Sequence, residues 1–370
     1  MQSLTLMPLH GGKAPKWLFA RMVKLARCIL EIAVNEYGTK WVIEKISDPD
    51  WFQALACALG YDWHSSGTTT VTMAALKEAL DESNLGIVVA GGKGKEGIRT
   101  PEEIERGADV IGIGSMAKEF SDYSRIIAKV DGSIIYDGIS IYQHTFVFSK
   151  DKDWCIVQQA MELKSAKAIR FQVDGSRANP SDLTTEINNG VVSSIQENVY
   201  DLTFQMNRAI KEKSLLLVNE DLGSLLSFRQ SKEMPSRHEI IKSIDLSERA
   251  RALLKYANDM QPESYQELLE IKGLGGKTLK SIAFISSLLY NEEIYKRDPV
   301  FYSYNLGGKD GIPYKINKAH YDSIISSLKE IIENSNAEST EKYKSLKRLS
   351  MSFSENYKQE SSSMSTKKST

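Results

Sequence analysis

The sequence predicts an α+β fold, with a mixed N-terminal domain that contains a β-hairpin and a helical C-terminal part. Three observations lead to this prediction. Apolar residues recur at intervals of three and four over residues 14–36, which is the pattern of an amphipathic helix. Two runs rich in β-branched and aromatic residues, 139–148 and 154–161, flank the turn-forming segment KDKD. Helical spacing then returns between residues 238 and 290.

The N-terminal part of the chain is predicted to contain four helices and one short buried strand. Pro15 suits the first turn of the first helix, and a second helix is predicted over 50–60. The segment TMAALKEALDE predicts a third helix that is capped by Thr72. The segment LGIVVA predicts a short buried strand, which a glycine-lysine loop, GGKGK, connects to a helix starting at Thr100–Pro101.

The middle of the chain is predicted to be β-rich, and the remainder helical. The segment GSIIYDG leads into the predicted hairpin. Residues 192–232 lack strand alternation and are predicted to be helical, and KEMPSRHE breaks the chain after them. Residues 354–370 are rich in serine and lysine and poor in apolar residues, so we predict that they are disordered.

These elements predict four regions. The boundaries follow changes in composition and in periodicity. The regions are a catalytic-type α+β domain over 1–190, a helical connector over 191–235, a helical DNA-binding domain over 236–350 and a tail over 351–370.

Composition narrows the class of protein. The 370 residues are 41% hydrophobic and carry a formal net charge of -1, so any nucleic-acid role needs a local basic patch. No apolar run approaches the roughly 18 residues that span a bilayer, and the first residues lack the order of a signal peptide. Cys28, Cys57 and Cys155 are far apart, without zinc-site spacing. We therefore expect a cytoplasmic protein without a membrane partner.

The stretch LLEIKGLGGKTLKSIAFIS, residues 268–286, consists of two helical runs joined by a glycine-rich break. This pattern resembles a helix-hairpin-helix motif, in which backbone N–H groups contact a nucleic-acid phosphate. Leu274 is expected to point inward as the anchor of the hairpin, and a tight helical corner without a ligand is the alternative. The predicted DNA-binding residues are Lys272, Gly273, Leu274, Gly275, Gly276, Lys277, Thr278 and Lys280.

Two of the glycines are expected to adopt unusual backbone angles. We predict a positive φ at Gly275 and a further unusual dihedral at Gly276. A β-branched residue at Gly275 is therefore expected to weaken binding.

A similar hairpin occurs in base-excision glycosylases, which suggests one enzyme hypothesis. There a lysine at the position of Lys277 attacks the sugar, and an aspartate follows, here Asp298. This chemistry requires a desolvated lysine, whereas two further lysines and a proposed phosphate lie near Lys277 in the sequence. A DNA glycosylase/AP lyase is therefore the alternative enzyme.

A second set of polar residues surrounds the predicted β-hairpin. Asp131 and Asp137 precede it, and Gln159 lies on its second strand. Oxygen ligands suit a hard cation, so we predict that these three residues hold Mg²⁺ or Mn²⁺. Asp137-Gly138 is also a common turn pair, which is the structural alternative.

The same set includes candidates for proton transfer and charge stabilisation. His64 and His144 are the predicted proton carriers, and Lys93 and Lys95 are expected to stabilise developing charge. A hydrogen-bonded residue on a half-buried strand is the alternative for His144. Glu162-Leu-Lys164 also mimics the Glu-x-Lys element of restriction-type nucleases, although three residues carry little weight.

Many motifs together resemble the archaeal and bacterial family known as domain of unknown function 763. They include MPLHGGKAPKWLF, YDWHSSGTTT, DGISIYQHTFVF, WCIVQQAM and YSYNLGGKDGIPY. The resemblance covers about residues 4–330 and implies little about function. After VQQ the family pattern has Gly-Met-Asn and Ala-Arg-Arg-Tyr-His-Trp, where this chain has AMELKSAKAIRFQV. In the last motif Asn305-Leu306 replaces Ala-His.

We therefore predict a metal-dependent DNA nuclease of DNA repair or processing that binds phosphate through its hairpin without sequence preference. The expected partners are single-stranded or structured DNA and a repair helicase, and a homodimer is kept open. The non-enzymatic alternative is a DNA-binding adaptor.

Overall fold

The computed structural model describes nine ranges of the chain. They are residues 14–60, 67–81, 84–136, 140–162, 167–187, 190–192, 199–228, 246–297 and 318–347.

The architecture is α+β, as predicted, and its elements are numbered here in chain order. The helices are α1 (Lys16–Ser47), α2 (Pro49–Leu59), α3 (Gly67–Asp81), α4 (Lys95–Ile98), α5 (Thr100–Val110), α6 (Ala117–Ser133), α7 (Arg208–Asn219), α8 (Leu222–Ser227), α9 (Glu248–Met260), α10 (Tyr265–Glu270), α11 (Gly276–Tyr290) and α12 (Lys318–Asn334). The strands are β1 (Ile87–Lys93), β2 (Ser140–Ser149), β3 (Trp154–Glu162), β4 (Lys167–Asp174), β5 (Gly190–Val192), β6 (Val199–Tyr200) and β7 (Lys296–Arg297).

The first two predicted helices are confirmed. The first is longer than predicted, and it continues to Ser47 across a kink at Gly38, whose φ is 85°. The carboxylate of Asp48 then caps α2, because it accepts hydrogen bonds from the N–H groups of Asp50 (2.9 Å) and Trp51 (3.2 Å). The helix α1 buries one apolar face, whereas α2 is buried on almost all sides.

The predicted start of the third helix is wrong. The helix α3 begins at Gly67, five residues before Thr72. Thr72 is fully buried inside the helix and caps nothing. A threonine before an apolar run occurs both at the N-cap of a helix and at a buried position inside its second turn. The sequence pattern alone did not distinguish these two positions for Thr72.

The predicted hairpin is confirmed, and it forms the centre of a larger sheet. Five strands lie in the order β1-β2-β3-β4-β5, and every neighbouring pair is antiparallel. Phe146 on β2 pairs with Ile156 on β3, and the intervening turn contains the segment KDKD. The strand β4, whose residues 169–173 alternate between apolar and polar side chains, was not predicted.

Helices cover both faces of this sheet. On one face, apolar residues such as Val147 and Val157 share a core with α1, α2, α3 and α12. On the other face, residues such as Phe146 and Ile156 share a core with α5 and α6. Successive strand residues therefore alternate between two apolar layers, as the period of two requires.

The C-terminal helices do not form a separate core. Apolar residues of α7, α9, α10 and α11 join the cluster that includes Phe120 on α6 and extends from Ala90 to Ile294. The helix α12 instead packs on the opposite layer, where Leu328 is fully buried. The predicted boundaries at 190 and 235 therefore do not separate two hydrophobic cores.

A small second sheet holds the end of the C-terminal helices in place. The strands β6 and β7 pair, and Arg297 Nε on β7 donates a 2.6 Å hydrogen bond to the buried carboxylate of Asp201. Arg297 also reaches Glu186 at 3.0 Å.

Within the described part of the chain, no helix combines the length and the apolar character needed to cross a bilayer.

Candidate phosphate-binding site

The two helices predicted around the glycine-rich break are present. The helix α10 ends at Glu270, α11 begins at Gly276, and five residues connect them. Leu274 is fully buried, so its predicted anchoring position is confirmed. Its N–H group donates a 3.2 Å hydrogen bond to the carbonyl oxygen of Ile271, which tightens the turn.

The three glycines of this turn have different structural roles, and the backbone angles predicted for two of them are wrong. The positive φ, 91°, belongs to Gly273. Gly275 has φ -97° and ψ 172°, which any residue adopts, and a Cβ built on it meets no atom within 4 Å. Gly276 lies against α6, since a Cβ there would be 3.1 Å from the Cα of Ser133.

The first turn of α11 presents free backbone donors. The carbonyl oxygen of Gly275 accepts from the N–H groups of Thr278 and Leu279, both at 3.0 Å. No side chain caps this end, and the N–H groups of Gly276 and Lys277 have no acceptor among the described residues. These orphan donors and the positive end of the helix dipole favour an anion.

A second helix begins beside the first. Ser247 caps α9 by accepting a 3.2 Å hydrogen bond from the N–H group of Ala250. The N–H groups of Glu248 and Arg249 have no acceptor within the described ranges. The helical spacing over residues 238–290 predicted one helical region, although the serine of LSERARALL is a recognisable N-cap signal.

The two helix beginnings line one cavity of about 260 Å³. Its walls contain two cationic side chains, those of Arg249 and Lys277, and no acidic residue from the described ranges. Thr278 is 8% exposed, and its hydroxyl has no hydrogen-bond partner among these residues. The lining residues are Ser247, Arg249, Ala250, Leu253, Gly273, Gly275, Gly276, Lys277 and Thr278.

The other two predicted lysines lie outside this cavity. Lys272 is exposed in the turn. Lys280 is directed elsewhere, because its Nζ atom lies 5.4 Å from the ring centroids of both Tyr136 and Phe284. Burial against these rings lowers the pKa of Lys280. Its predicted place among the phosphate contacts is therefore not supported.

The predicted catalytic residue His144 belongs to a buried chain of hydrogen bonds between the sheet and α6. Its Nε2 atom lies 2.7 Å from Ser124 Oγ, and its Nδ1 atom lies 2.7 Å from Gln158 Oε1. Gln158 Nε2 donates to Asp131 Oδ2 at 2.5 Å. All four side chains are at most 6% exposed.

The orientation of the Gln158 amide determines which hydrogen bonds this chain contains. Its NH₂ group donates to Asp131, and its oxygen, which only accepts, faces His144 Nδ1. The neutral imidazole then carries its hydrogen on Nδ1, and Nε2 accepts from the Ser124 hydroxyl. Burial lowers the pKa of His144 to about 4, against the opposing effect of the Gln158 hydrogen bond. His144 is thus a satisfied core residue, which agrees with the structural alternative.

Most motifs named above lie within one family match. The chain matches the model of a family described as protein of unknown function (DUF763) over residues 3–316. The protein belongs to this family. No curated protein matches the chain. No solved structure matches it either.

Two of the three predicted metal ligands of this DUF763 member, Asp131 and Gln159, lie on opposite faces of the sheet. Asp131 contacts Gln158, whereas Gln159, the next strand residue, points to the opposite face and donates to the Tyr142 hydroxyl. Asp137 lies outside the described residues. Within the described ranges, no three His, Cys, Asp or Glu side chains form a group that could hold a metal.

Three further predicted residues, Lys93, Lys95 and Glu162, lie around one end of the sheet. Lys93 ends β1 and lies 5.7 Å from the Tyr142 ring centroid, and Lys95 is exposed at the start of α4. Glu162 ends β3, at the same sheet end. The other predicted residues, His64, Lys164, Asp298, Asn305 and Leu306, lie outside the described residues.

A buried cluster on the opposite sheet face was missed. Arg170 on β4 is 1% exposed and donates 3.0 Å hydrogen bonds to Gln172 and to Gln53 on α2. Burial, with a contribution from Asp48, raises the pKa of the nearby Asp50 to about 7, while Arg170 lowers it. The period-two alternation of AIRFQV could have identified this strand.

Proposed function

We propose that this protein binds the sugar–phosphate backbone of DNA in the cavity between α9 and α11. In this proposal the segment from α10 to α11 acts as a helix-hairpin-helix motif. The observation that carries the proposal is the convergence of two helix N-termini on one cavity whose charged lining is cationic. Each N-terminus is equivalent to roughly half a positive charge.

The donor set favours a phosphate over a metal ion or an apolar ligand. Free N–H groups at Gly276 and Lys277 are hydrogen-bond donors only, and so are the cationic side chains of Arg249 and Lys277. Oxygen acceptors of a phosphodiester satisfy such donors directly. Thr278 also lines the cavity, and its hydroxyl adds one more group that can donate.

The shape of the site favours a polymer over a free ion. A water molecule occupies about 30 Å³ in the liquid, so a cavity of about 260 Å³ has room for a phosphate together with part of a sugar. The exposed Lys272 lies beside it in the turn. These contacts involve the backbone of the ligand and carry no base information, so we expect little sequence preference.

A substitution at Gly275 tests the proposal sharply. Because Gly275 has extended backbone angles and open space around its missing Cβ, Gly275→Val is compatible with the fold. Its methyl groups are expected to stand beside the free N–H groups of α11. We expect filter binding with short DNA of mixed sequence to show wild-type affinity falling with salt and a clear loss in Gly275→Val.

A matched control separates this local effect from a general one. Gly223 in α8 also has no atom within 4 Å of an added Cβ, and it does not line the cavity. Gly223→Val is therefore expected to bind like the wild type. Inorganic phosphate at the same ionic strength should compete only weakly, because it makes few of the contacts. Equal affinity in Gly275→Val and Gly223→Val, or a flat salt dependence, would contradict the proposal.

Catalysis is a separate prediction. A metal-dependent nuclease depends on Asp137, which the structure does not describe. A non-enzymatic adaptor that recruits a repair helicase needs only the binding site. Cleavage assays distinguish these two functions.

A further inference from the structure

A stripe of side chains leads away from the proposed phosphate site along α9. Arg249, Leu253, Tyr256 and Met260 are spaced by four, three and four residues, which places them on one face of the helix. Arg249 and Leu253 line the cavity. Tyr256 and Met260 continue the same face and are 51% and 57% exposed.

Tyr256 has no partner among the described residues. It forms no hydrogen bond, ring contact or cation–π contact with them. The helix is held instead by its other face, where Ala250, Leu254 and Ala257 are buried. The tyrosine ring is therefore not needed to pack α9, and it presents an aromatic surface beside a cationic cavity.

The distance along the helix suits consecutive nucleotides of one strand. With a rise of about 1.5 Å per residue, Tyr256 lies about 10 Å beyond Arg249 along the axis. That length corresponds to about three stacked nucleotides, at roughly 3.4 Å each, or to fewer in an extended strand. A base attached to a backbone that passes through the cavity can therefore reach the ring.

We infer that Tyr256, with Met260 beside it, is a stacking platform for an unpaired base of single-stranded nucleic acid whose phosphate lies in the α9–α11 cavity. This inference rests on the proposed function and adds the ligand class. Every base has a π-face, so stacking tolerates any sequence, as does the phosphate contact. In a duplex the bases already stack on each other, and the ring has no base to receive.

The charges around the stripe fit one strand passing from the cavity toward Met260. Lys255 is exposed next to Tyr256 and can follow the backbone. Asp259 is exposed near the far end of the helix, where its charge disfavours further phosphates. The platform is therefore expected to serve one or two bases.

The test measures binding of a short single-stranded oligodeoxynucleotide that carries one 2-aminopurine, a base whose fluorescence is quenched by stacking. The variants are Tyr256→Ala, Tyr256→Phe and, as a control, Tyr343→Ala, which removes a tyrosine that is 68% exposed away from the cavity. Base–aromatic stacking corresponds to roughly a five- to 150-fold loss of affinity on truncation to alanine. We expect such a loss and reduced quenching in Tyr256→Ala, with wild-type behaviour in Tyr256→Phe and Tyr343→Ala.

A second probe isolates the base from the backbone. An oligonucleotide of the same length with abasic sites keeps the phosphates, so the wild type should bind it less tightly than the intact strand. In Tyr256→Ala this difference should disappear. Unchanged affinity and quenching in Tyr256→Ala would overturn the inference and would leave a protein partner as the occupant of the stripe. If Gly275→Val still weakens binding in that case, the proposed phosphate site stands.

Discussion

The Nζ atom of Lys129, on α6, donates a 2.9 Å hydrogen bond to the carbonyl oxygen of Ile271 in the turn before α11. The same helix contacts the turn a second time, where the backbone of Ser133 approaches Gly276. On its other side α6 provides Ser124 and Asp131 to the buried chain on the sheet. One helix therefore fixes the position of the candidate phosphate site relative to the sheet.

Lys129 is predicted to make the stability of the folded protein increase with pH in the alkaline range. Burial lowers its pKa to about 8, against the opposing effect of Glu270. Between about pH 8 and the ordinary lysine pKa of about 10.4, the unfolded chain binds a proton that the folded chain does not, so stability increases with pH. Urea unfolding at about pH 7 and about pH 10 should show the wild type gaining stability relative to Lys129→Met.

The comparison with Lys129→Met controls for the other lysines that have lowered pKa values. Lys211 and Lys280 also have lowered pKa values, but they are present in both proteins and their effects cancel. The variant also loses the hydrogen bond to Ile271, for which we expect a cost of about 1 kcal/mol and weaker DNA binding. A difference in stability that is the same at both pH values would show that Lys129 does not titrate in this range.

His144 is predicted to make the fold sensitive to acid. Its pKa is lowered to about 4, so between about pH 6.5 and pH 4 the unfolded chain takes up a proton and the folded chain does not. Stability is therefore lost as the pH falls through this window, by on the order of 3 kcal/mol at its acid end. His144→Gln should be less stable at neutral pH and less sensitive to acid, as measured by urea unfolding at several pH values. Equal acid sensitivity in both proteins would place the titrating group elsewhere.

Periodicity in the sequence predicted the fold class and the central hairpin, because the runs around KDKD have the period of a strand on both sides of a turn. It missed α6, since its segment AKEFSDYSRIIAKVDGS has its apolar residues in a narrow stripe that was not recognised. It also missed β4, although residues 169–173 alternate, and it did not show that Arg170 and Gln172 on this strand are buried. Buried polar networks depend on partners from distant elements, such as Gln53, and local patterns do not contain them.

The candidate site was also predicted in part. The order of glycines in KGLGGKT indicated the turn and the buried Leu274. The sequence did not show which glycine has a positive φ, because all three are compatible with it. It also did not reveal Arg249, since the approach of α9 to the turn is a tertiary relationship. Polar residues close in sequence led to the predictions of a proton carrier at His144 and a metal ligand at Asp131, and such patterns do not reveal whether side chains face solvent or the core.

The metal-dependent nuclease remains a prediction that activity assays test directly. Cleavage of single-stranded or branched DNA should require Mg²⁺ or Mn²⁺ and stop with EDTA, because oxygen ligands select hard cations. Asp137→Asn should abolish cleavage and leave DNA binding intact, since it removes charge at the predicted metal site and leaves the sequence of the helix-hairpin-helix segment unchanged. Cleavage that continues in EDTA would exclude this chemistry.

The substitution Asp131→Asn tests whether Asp131 binds a metal or stabilises the fold. Asp131 accepts from Gln158, and an amide in its place presents either an NH₂ group or an oxygen that no longer fixes the direction of the chain. We expect a loss of about 1–3 kcal/mol in the free energy of unfolding, measured by urea denaturation. Wild-type stability combined with lost metal-dependent cleavage would instead assign Asp131 to the metal.

The last prediction concerns Lys277, which a glycosylase/AP lyase would use as its nucleophile. Such a lysine forms a Schiff base that borohydride traps as a covalent complex with an abasic duplex. Lys277 is exposed and lines an open cavity, whereas a nucleophilic lysine is desolvated so that its amine loses its proton. We expect no trapped complex.

Lys277→Ala should lower DNA affinity and reduce the slope of log K against log salt by about one, because one phosphate contact is lost. Lys277→Arg should restore the slope, since it keeps the charge. A borohydride-trapped band that is present in the wild type and absent in both variants would instead make this turn an active site.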